Sequence, residues 1–300
     1  MTNGTLRPHG IIPPIATPMQ VNEELDLPRL RWFIDHLLAH GIHAAFLLGT
    51  NSECYALSED EKQAVTATGV QQVAGRVPVF IGTGAISTRE TLRLTRMAEN
   101  EGAQGVTVIT PYFVHPTQSE LFDHYRRIAD ATALPILLYN NPVHTHVALT
   151  PETVARLAEL PNIVGIKDSS GDLSLLMDYV RLTPKHFSVL QGRDSLIYSA
   201  LELGAQGAVP ASGNLVPGWC VAIYEAYKRG DVEASLAAQM KVHPLRKALA
   251  LGTAPGVLKQ ALRWMGMDLG PARSPLGELH GSPLEALKQV LQEAGLLARG

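Results

Sequence analysis

Lys167 stands directly after Ile163-Val164-Gly165-Ile166, so a charged side chain continues an apolar run that reads as a buried strand. Side chains alternate along a strand, which puts Lys167 with Gly165 on one face and Ile166 with Asp168 on the other. A lysine in such a place is costly unless it is paired or deprotonated. A free lysine has a pKa of about 10.4 and is almost wholly protonated at neutral pH. Burial lowers that value and creates an amine able to add to a carbonyl. The plainer alternative is a structural ion pair with Asp168 or another carboxylate.

Tyr139 ends a second apolar run, Ile136-Leu137-Leu138. A phenol beside an imine-forming lysine can move protons to and from the carbinolamine and the substrate oxygen. A core tyrosine with its hydroxyl bonded at the rim is the plainer reading. Thr50 lies in the glycine-led turn Gly49-Thr50-Asn51-Ser52-Glu53. Backbone amides of such a turn can bind a carboxylate, and the Thr50 hydroxyl can relay protons to Tyr139. The histidines invite a metal reading, with His36, His40 and His43 at near-helical spacing and His144 and His146 alternating after Tyr139. That reading is disfavoured. The first set falls on a helix and its end, and the second lacks an acidic partner nearby in sequence. His144 stays as a candidate substrate contact.

These residues need a frame that brings distant segments together. Short apolar runs alternate with helical patterns along most of the chain. Strands are expected at Gly10–Pro18, His43–Gly49, Val77–Gly84, Gly105–Pro111, Pro135–Pro142, Ile163–Ser170, Phe187–Asp194 and Gly207–Ser212. Helices are expected over Pro28–Gly41, from Ser58 to Ala74, from Ser87 or Thr88, from Thr117 to about Ala133, from Thr150-Pro151-Glu152, and over Val216–Arg229. Ser58 with Glu61 reads as a capping box, and Pro151 suits a first helical position. Continuous apolar strands suit a parallel sheet covered on both faces. Eight βα units point to a (β/α)8 TIM barrel. An open doubly wound sheet is the rival, but no GxGxxG turn follows the first strand. In a barrel the chemistry sits at the C-terminal ends of strands, which is where Lys167, Tyr139 and Thr50 fall. Residues 231–300 are read as a C-terminal helical appendage to a catalytic barrel of residues 1–230, with helices at Val232–Ala250, Pro255–Met265 and Pro283–Leu297.

The 300 residues are 46% hydrophobic and 18% charged, which describes a globular protein rather than a disordered one. A net charge of -3, with scattered basic residues, gives no electrostatic reason to expect nucleic acid or an anionic membrane. No apolar stretch is long enough for a membrane span, and Met1–Gly10 carries no signal-peptide pattern. Cys54 and Cys220 have no metal-ligand spacing, so a reduced, cytoplasmic protein is expected.

Taken in order, Gly49-Thr50-Asn51-Ser52-Glu53, Thr110-Pro111-Tyr112-Phe113, Leu138-Tyr139-Asn140, Gly165-Ile166-Lys167-Asp168 and Gly192-Arg193-Asp194 resemble the signatures of the dihydrodipicolinate synthase and N-acetylneuraminate lyase superfamily. The resemblance implies a class I lyase or aldolase on a (β/α)8 barrel, a homotetramer built as a dimer of dimers, and no cofactor or metal. It further implies that Lys167 forms the imine, Tyr139 is general acid and base, and Thr50 relays protons and helps hold the pyruvyl carboxylate. Val209 matches the residue whose backbone contacts the pyruvyl moiety. Ser169, Gly192, Asp194 and Ser212 fall where sugar-acid members hold substrate hydroxyls.

The departures shape the expected activity. Asn51 and Ser52 replace the loop's usual second hydroxyl and glycine. Phe113 stands where many members place a tyrosine that reaches into the neighbouring subunit's site. His144 replaces the arginine with which dihydrodipicolinate synthases hold a substrate carboxylate, and a histidine cannot reproduce that fork. The reading therefore favours a Schiff-base aldolase cleaving a 2-keto-3-deoxy sugar acid or 4-hydroxy-2-oxoglutarate to pyruvate and an aldehyde. The alternative is a dehydratase or decarboxylating dehydratase on the same imine, with dihydrodipicolinate synthesis ranked lower. A barrel that binds 2-oxo acids without turnover and a metal-dependent hydrolase are more distant readings.

Overall fold

The computed structural model describes residues 6–298. The first five residues of the stretch read for a targeting signal, and the last two of the C-terminal region, lie outside that span. Among the described residues eight strands run β1 (Gly10–Ile11), β2 (Ala45–Leu47), β3 (Val79–Gly82), β4 (Gly105–Ile109), β5 (Ile136–Asn140), β6 (Ile163–Asp168), β7 (Ser188–Gln191) and β8 (Gly207–Ala208). They form one parallel sheet in the order β1-β8-β7-β6-β5-β4-β3-β2. Just past β1, Pro14 bridges to Phe46 of β2, and the Ile15 amide donates to the Phe46 carbonyl at 2.8 Å. The two ends of the sheet thus meet, in the arrangement of a TIM barrel. Ile12, Ala44, Phe46, Phe80, Leu137, Leu190 and Val209 pack together on the inward faces.

Two strands are much shorter than expected, for one reason. Pro13 and Pro14 follow β1, and Pro210 closely follows β8. A proline has no N–H to give the ladder. The Ile12 amide still donates to the Ala208 carbonyl and the Val209 amide to the Gln191 carbonyl, and the regular ladder stops at the prolines that follow.

Among the described residues twelve helices accompany the strands: α1 (Leu27–Ala39), α2 (Glu59–Val73), α3 (Thr88–Asn100), α4 (Gln118–Ala129), α5 (Pro142–Thr145), α6 (Pro151–Leu157), α7 (Leu173–Leu182), α8 (Ile197–Glu202), α9 (Pro217–Lys228), α10 (Val232–Ala248), α11 (Ala254–Trp264) and α12 (Ser282–Glu293). The capping box of α2 is formed: the Glu61 amide donates to Ser58 Oγ at 3.2 Å and the Ser58 amide to Glu61 Oε2 at 2.7 Å. Ser87, Thr117 and Thr150 cap α3, α4 and α6 in the same position. Helices α5, α7 and α8 carry weaker marks in the sequence. For α7 the mark is Asp172, whose carboxylate accepts from the Ser174 and Leu175 amides.

Candidate active site

Tyr139 and Lys167 are register partners on β5 and β6, which sets them side by side on the inward face. Lys167 is 4% exposed. Its Nζ lies 3.8 Å from the centroid of the Tyr139 ring and 5.3 Å from that of Phe46. No carboxylate pairs with it among the described residues. Asp168, the structural partner considered from sequence, points to the other face. There it accepts from Asn140 Nδ2 at 2.7 Å and from Ser170 Oγ at 2.6 Å.

Burial opposes ionisation of the Tyr139 phenol. The neighbouring Lys167 charge and hydrogen bonds with Thr50, Lys167 and Ser169 outweigh that and hold it below the usual phenol range. Asn141 Nδ2 also donates to the Tyr139 hydroxyl, at 2.9 Å. A phenol so surrounded exchanges its proton more readily than a free one.

Thr50 opens a tight 3-10 turn over Thr50–Ser52. Ser52, in the place of the family's glycine, turns its hydroxyl into the underside of the loop. Its Oγ donates to the Ile15 carbonyl at 2.5 Å and accepts from the Gly49 amide at 3.1 Å. Glu53 then takes a left-handed backbone, with φ at 59°, and sends its carboxylate into the interior. One carboxylate oxygen pairs with Lys259 Nζ of α11 at 2.6 Å, and the other accepts from the Arg273 amide at 2.7 Å. The Arg273 guanidinium forms a two-pronged pair with Glu61 at 2.8 and 2.7 Å, which holds the Glu61 carboxyl down at about 2. The region read as an appendage is therefore clamped to the loop that carries Thr50.

A cavity of about 400 Å³ opens above these groups. Phe46, Thr50, Asn51, Thr107, Tyr139 and His144 line it, and the C-terminal region adds Thr253, Ala254, Pro255 and Leu276. Thr107 Oγ1 is buried there without a hydrogen-bond partner. Sequence reasoning missed this hydroxyl and the Glu53–Lys259–Arg273 clamp. The clamp residues are more than two hundred positions apart, and no local pattern links them.

The remaining candidates divide. Val209 is buried in the inward cluster with Phe46, and Ser169 lies beside Tyr139. Gly192 packs so closely on Ser169 that a Cβ would fall 2.0 Å from Ser169 Oγ. Asp194 is buried and accepts from the Ala211 and Ser212 amides at 3.0 and 2.7 Å. The Ser212 hydroxyl faces Cys220 Sγ at 3.8 Å. Neither Asp194 nor Ser212 lines the cavity. Phe113 is 89% exposed, at a φ of 77°, and stands outside it too.

The histidines do not converge. His36 and His40 lie ring to ring at the end of α1, tilted by 51°, while His43 Nε2 meets Glu225 at 3.0 Å. Among the described residues no cluster of three or more His, Cys, Asp or Glu could hold a metal. No helix of the described residues is long and apolar enough to cross a membrane.

Residues 7–294 match the model of the dihydrodipicolinate synthetase family. A 4-hydroxy-tetrahydrodipicolinate synthase of Methanospirillum hungatei is 39% identical over 285 residues, covering 94% of this chain and 98% of that protein. The solved dihydrodipicolinate synthase of Thermotoga maritima is 37% identical with a TM-score of 0.93, covering 96% of this chain and 99% of the other. A prophage protein of the same family from E. coli K12, solved with pyruvate, is 33% identical with a TM-score of 0.92, covering 96% and 99%. These findings correct the ranking drawn from His144, in which sugar-acid cleavage or dehydration stood above dihydrodipicolinate synthesis. Relatives at 36–39% identity over nearly the whole chain carry the synthase name, and one exchanged side chain on one loop does not outweigh that. The chain belongs to the dihydrodipicolinate synthetase family, whose members are Schiff-base lyases.

Proposed function

We propose that this chain condenses pyruvate with an α-amino acid whose side chain ends in an aldehyde, the reaction type of a 4-hydroxy-tetrahydrodipicolinate synthase. The observation that carries the reading is the Lys167 amine, unpaired among the described residues, against the ring of Tyr139, which lines the cavity. Lys167 adds to the pyruvate ketone, and Tyr139 delivers the proton with which water leaves the carbinolamine. Loss of a methyl proton turns the imine into an enamine. The enamine carbon attacks the aldehyde carbon, and the new alkoxide takes a proton from the Tyr139–Thr50 pair. The substrate's own amine then attacks the imine carbon, closes the ring and frees Lys167. The pyruvate bound to the E. coli relative supports the first step, and the names of the relatives support the second.

The test has two stages. Pyruvate followed by borohydride should add the mass of a reduced pyruvyl imine to the wild type and nothing to Lys167→Ala. Pyruvate with the amino aldehyde should then yield the cyclic product. An adduct on both proteins would sink the imine, and an adduct without cyclic product would sink the condensation. The reading extends to assembly: exposed Phe113 and Val114 form an apolar projection suited to a second copy of the chain in a homotetramer. Light scattering on the wild type and on Phe113→Asp checks that.

A further inference from the structure

Strain and buried charge gather close behind Thr50. Glu53 holds a left-handed backbone, at a φ of 59°, that residues with a Cβ seldom adopt. Its side chain is 0% exposed, and that of Lys259, whose ammonium meets it at 2.6 Å, is 2% exposed. Taking two charges out of water is costly, and an apolar pair of similar volume is often at least as stable. Stability is therefore a weak reason for this pair. Strained backbone persists where its surroundings over-determine it, and it clusters at functional sites.

Each partner of Glu53 ties in another segment. Lys259 of α11 also donates to the Pro271 carbonyl at 2.7 Å. The Arg273 amide donates to the second Glu53 oxygen at 2.7 Å, and its guanidinium to the Ala56 carbonyl at 2.9 Å. The far half of the loop after β2 is thus held from the C-terminal region. The near half is held by the barrel, where Thr17 Oγ1 donates to the Ser52 carbonyl at 2.8 Å. Thr50 belongs to both halves, because the Glu53 amide donates to its carbonyl at 3.1 Å. A change of backbone at Glu53 reaches Thr50 through that bond. Thr50 and Tyr139 line one cavity with Thr253, Ala254 and Pro255 of the C-terminal region, and the Thr50 hydroxyl is a hydrogen-bond partner of the phenol.

We propose that Glu53, held by Lys259 and Arg273, is a positioning residue that sets the Thr50 hydroxyl against the Tyr139 phenol. It touches no substrate and acts through Thr50. The proposal rests on the imine reading for the roles of Lys167, Tyr139 and Thr50. The C-terminal region then takes part in the proton transfers instead of only covering the barrel.

The test uses four full-length proteins: the wild type, Thr50→Val, the neutral pair Glu53→Gln/Lys259→Met, and the triple variant. The neutral pair leaves no buried charge unpaired, so it keeps the proposal open to test where Lys259→Met alone fails to fold. Each is mixed with saturating pyruvate and quenched with borohydride at intervals. Thr50→Val and the neutral pair should each slow adduct formation per folded molecule about 10²-fold, the loss that a misplacement of about 1 Å brings. The triple variant should be no slower than the neutral pair, because both changes remove one contact. Losing the Thr50 bond also removes one influence that lowers the Tyr139 pKa. The pH profile of trapping should therefore move to higher pH, and equally, in Thr50→Val and the neutral pair. A neutral pair with the wild-type rate or the wild-type profile overturns the proposal, as do losses that multiply in the triple variant. Crystals of the neutral pair decide the positioning apart from the chemistry. The Thr50 hydroxyl should have left the Tyr139 hydroxyl, and a Thr50 in its wild-type place overturns the proposal. A wild type that forms no adduct removes the imine reading, and the place of Thr50 in those crystals still decides this one.

Discussion

The ends of β5 and β6 and the ends of β7 and β8 carry polar residues at equivalent heights in the barrel, yet they use them differently. At β5 and β6, Tyr139 lines the cavity and Lys167 lies against its ring, with no carboxylate among the described residues to neutralise the lysine. At β7 and β8, Asp194 is taken up by the amides of Ala211 and Ser212, and Ser212 turns to Cys220. The same position in the fold makes one group available for chemistry and another a brace between loops. What separates them is the local supply of partners. A carboxylate next to a tight turn finds backbone amides, which are obligatory donors once buried. A lysine opposite a glycine-led loop and an aromatic ring finds no anion and stays free for a substrate.

The comparison can be broken at several points. Lys167→Ala should abolish the borohydride-trapped pyruvate adduct and lower turnover on the order of 10⁴-fold, as loss of a covalent nucleophile does. Tyr139→Phe should fold normally and slow adduct formation by about 10² to 10⁴-fold, read as the trapping rate at saturating pyruvate. If either keeps the wild-type rate, the β5–β6 end is not the reacting centre. Lys259→Met leaves the Glu53 carboxylate buried and unpaired, and should cost about 3–5 kcal/mol by denaturant titration.

At the other end, Asp194→Ala orphans two backbone amides and should cost about 2–3 kcal/mol. The adduct formed per folded molecule should stay at the wild-type level. A lost adduct in fully folded Asp194→Ala would erase the distinction between the two ends. A pH titration separates both ends from the outer shell. Burial, then Arg127, lowers His124 of α4 to about 4, whereas an unfolded histidine titrates near about 6.5. Between those values the unfolded chain binds the proton and the folded one does not. Stability should therefore fall as pH drops through this window, by on the order of 3 kcal/mol in all. His124→Gln should flatten that slope without touching the adduct.

Much of the frame is legible in the residues themselves. Ser58 with Glu61, Ser87, Thr117 and Thr150 start helices through bonds that close within three positions. The apolar runs before Tyr139 and Lys167 mark buried strands for the same local reason. Prolines 13, 14 and 210 were equally visible, and the shortness of β1 and β8 follows from their missing N–H groups. The ordered motifs point to the family, and hence to Lys167, Tyr139 and Thr50. The ranking of activities failed because it leaned on a few departures, Asn51, Phe113 and above all His144.

The sequence by itself determined the alternation of elements, the barrel class and the family, and it is the source of the proposal for Lys167, because these depend on periodicity, caps and contiguous motifs. Only the tertiary structure decided which polar strand ends face the cavity and which brace loops. It alone showed that Glu53 reaches Lys259 and Arg273. Those outcomes depend on contacts between segments far apart in the chain. Whether a buried charge finds a partner is settled by packing, not by its neighbours in sequence.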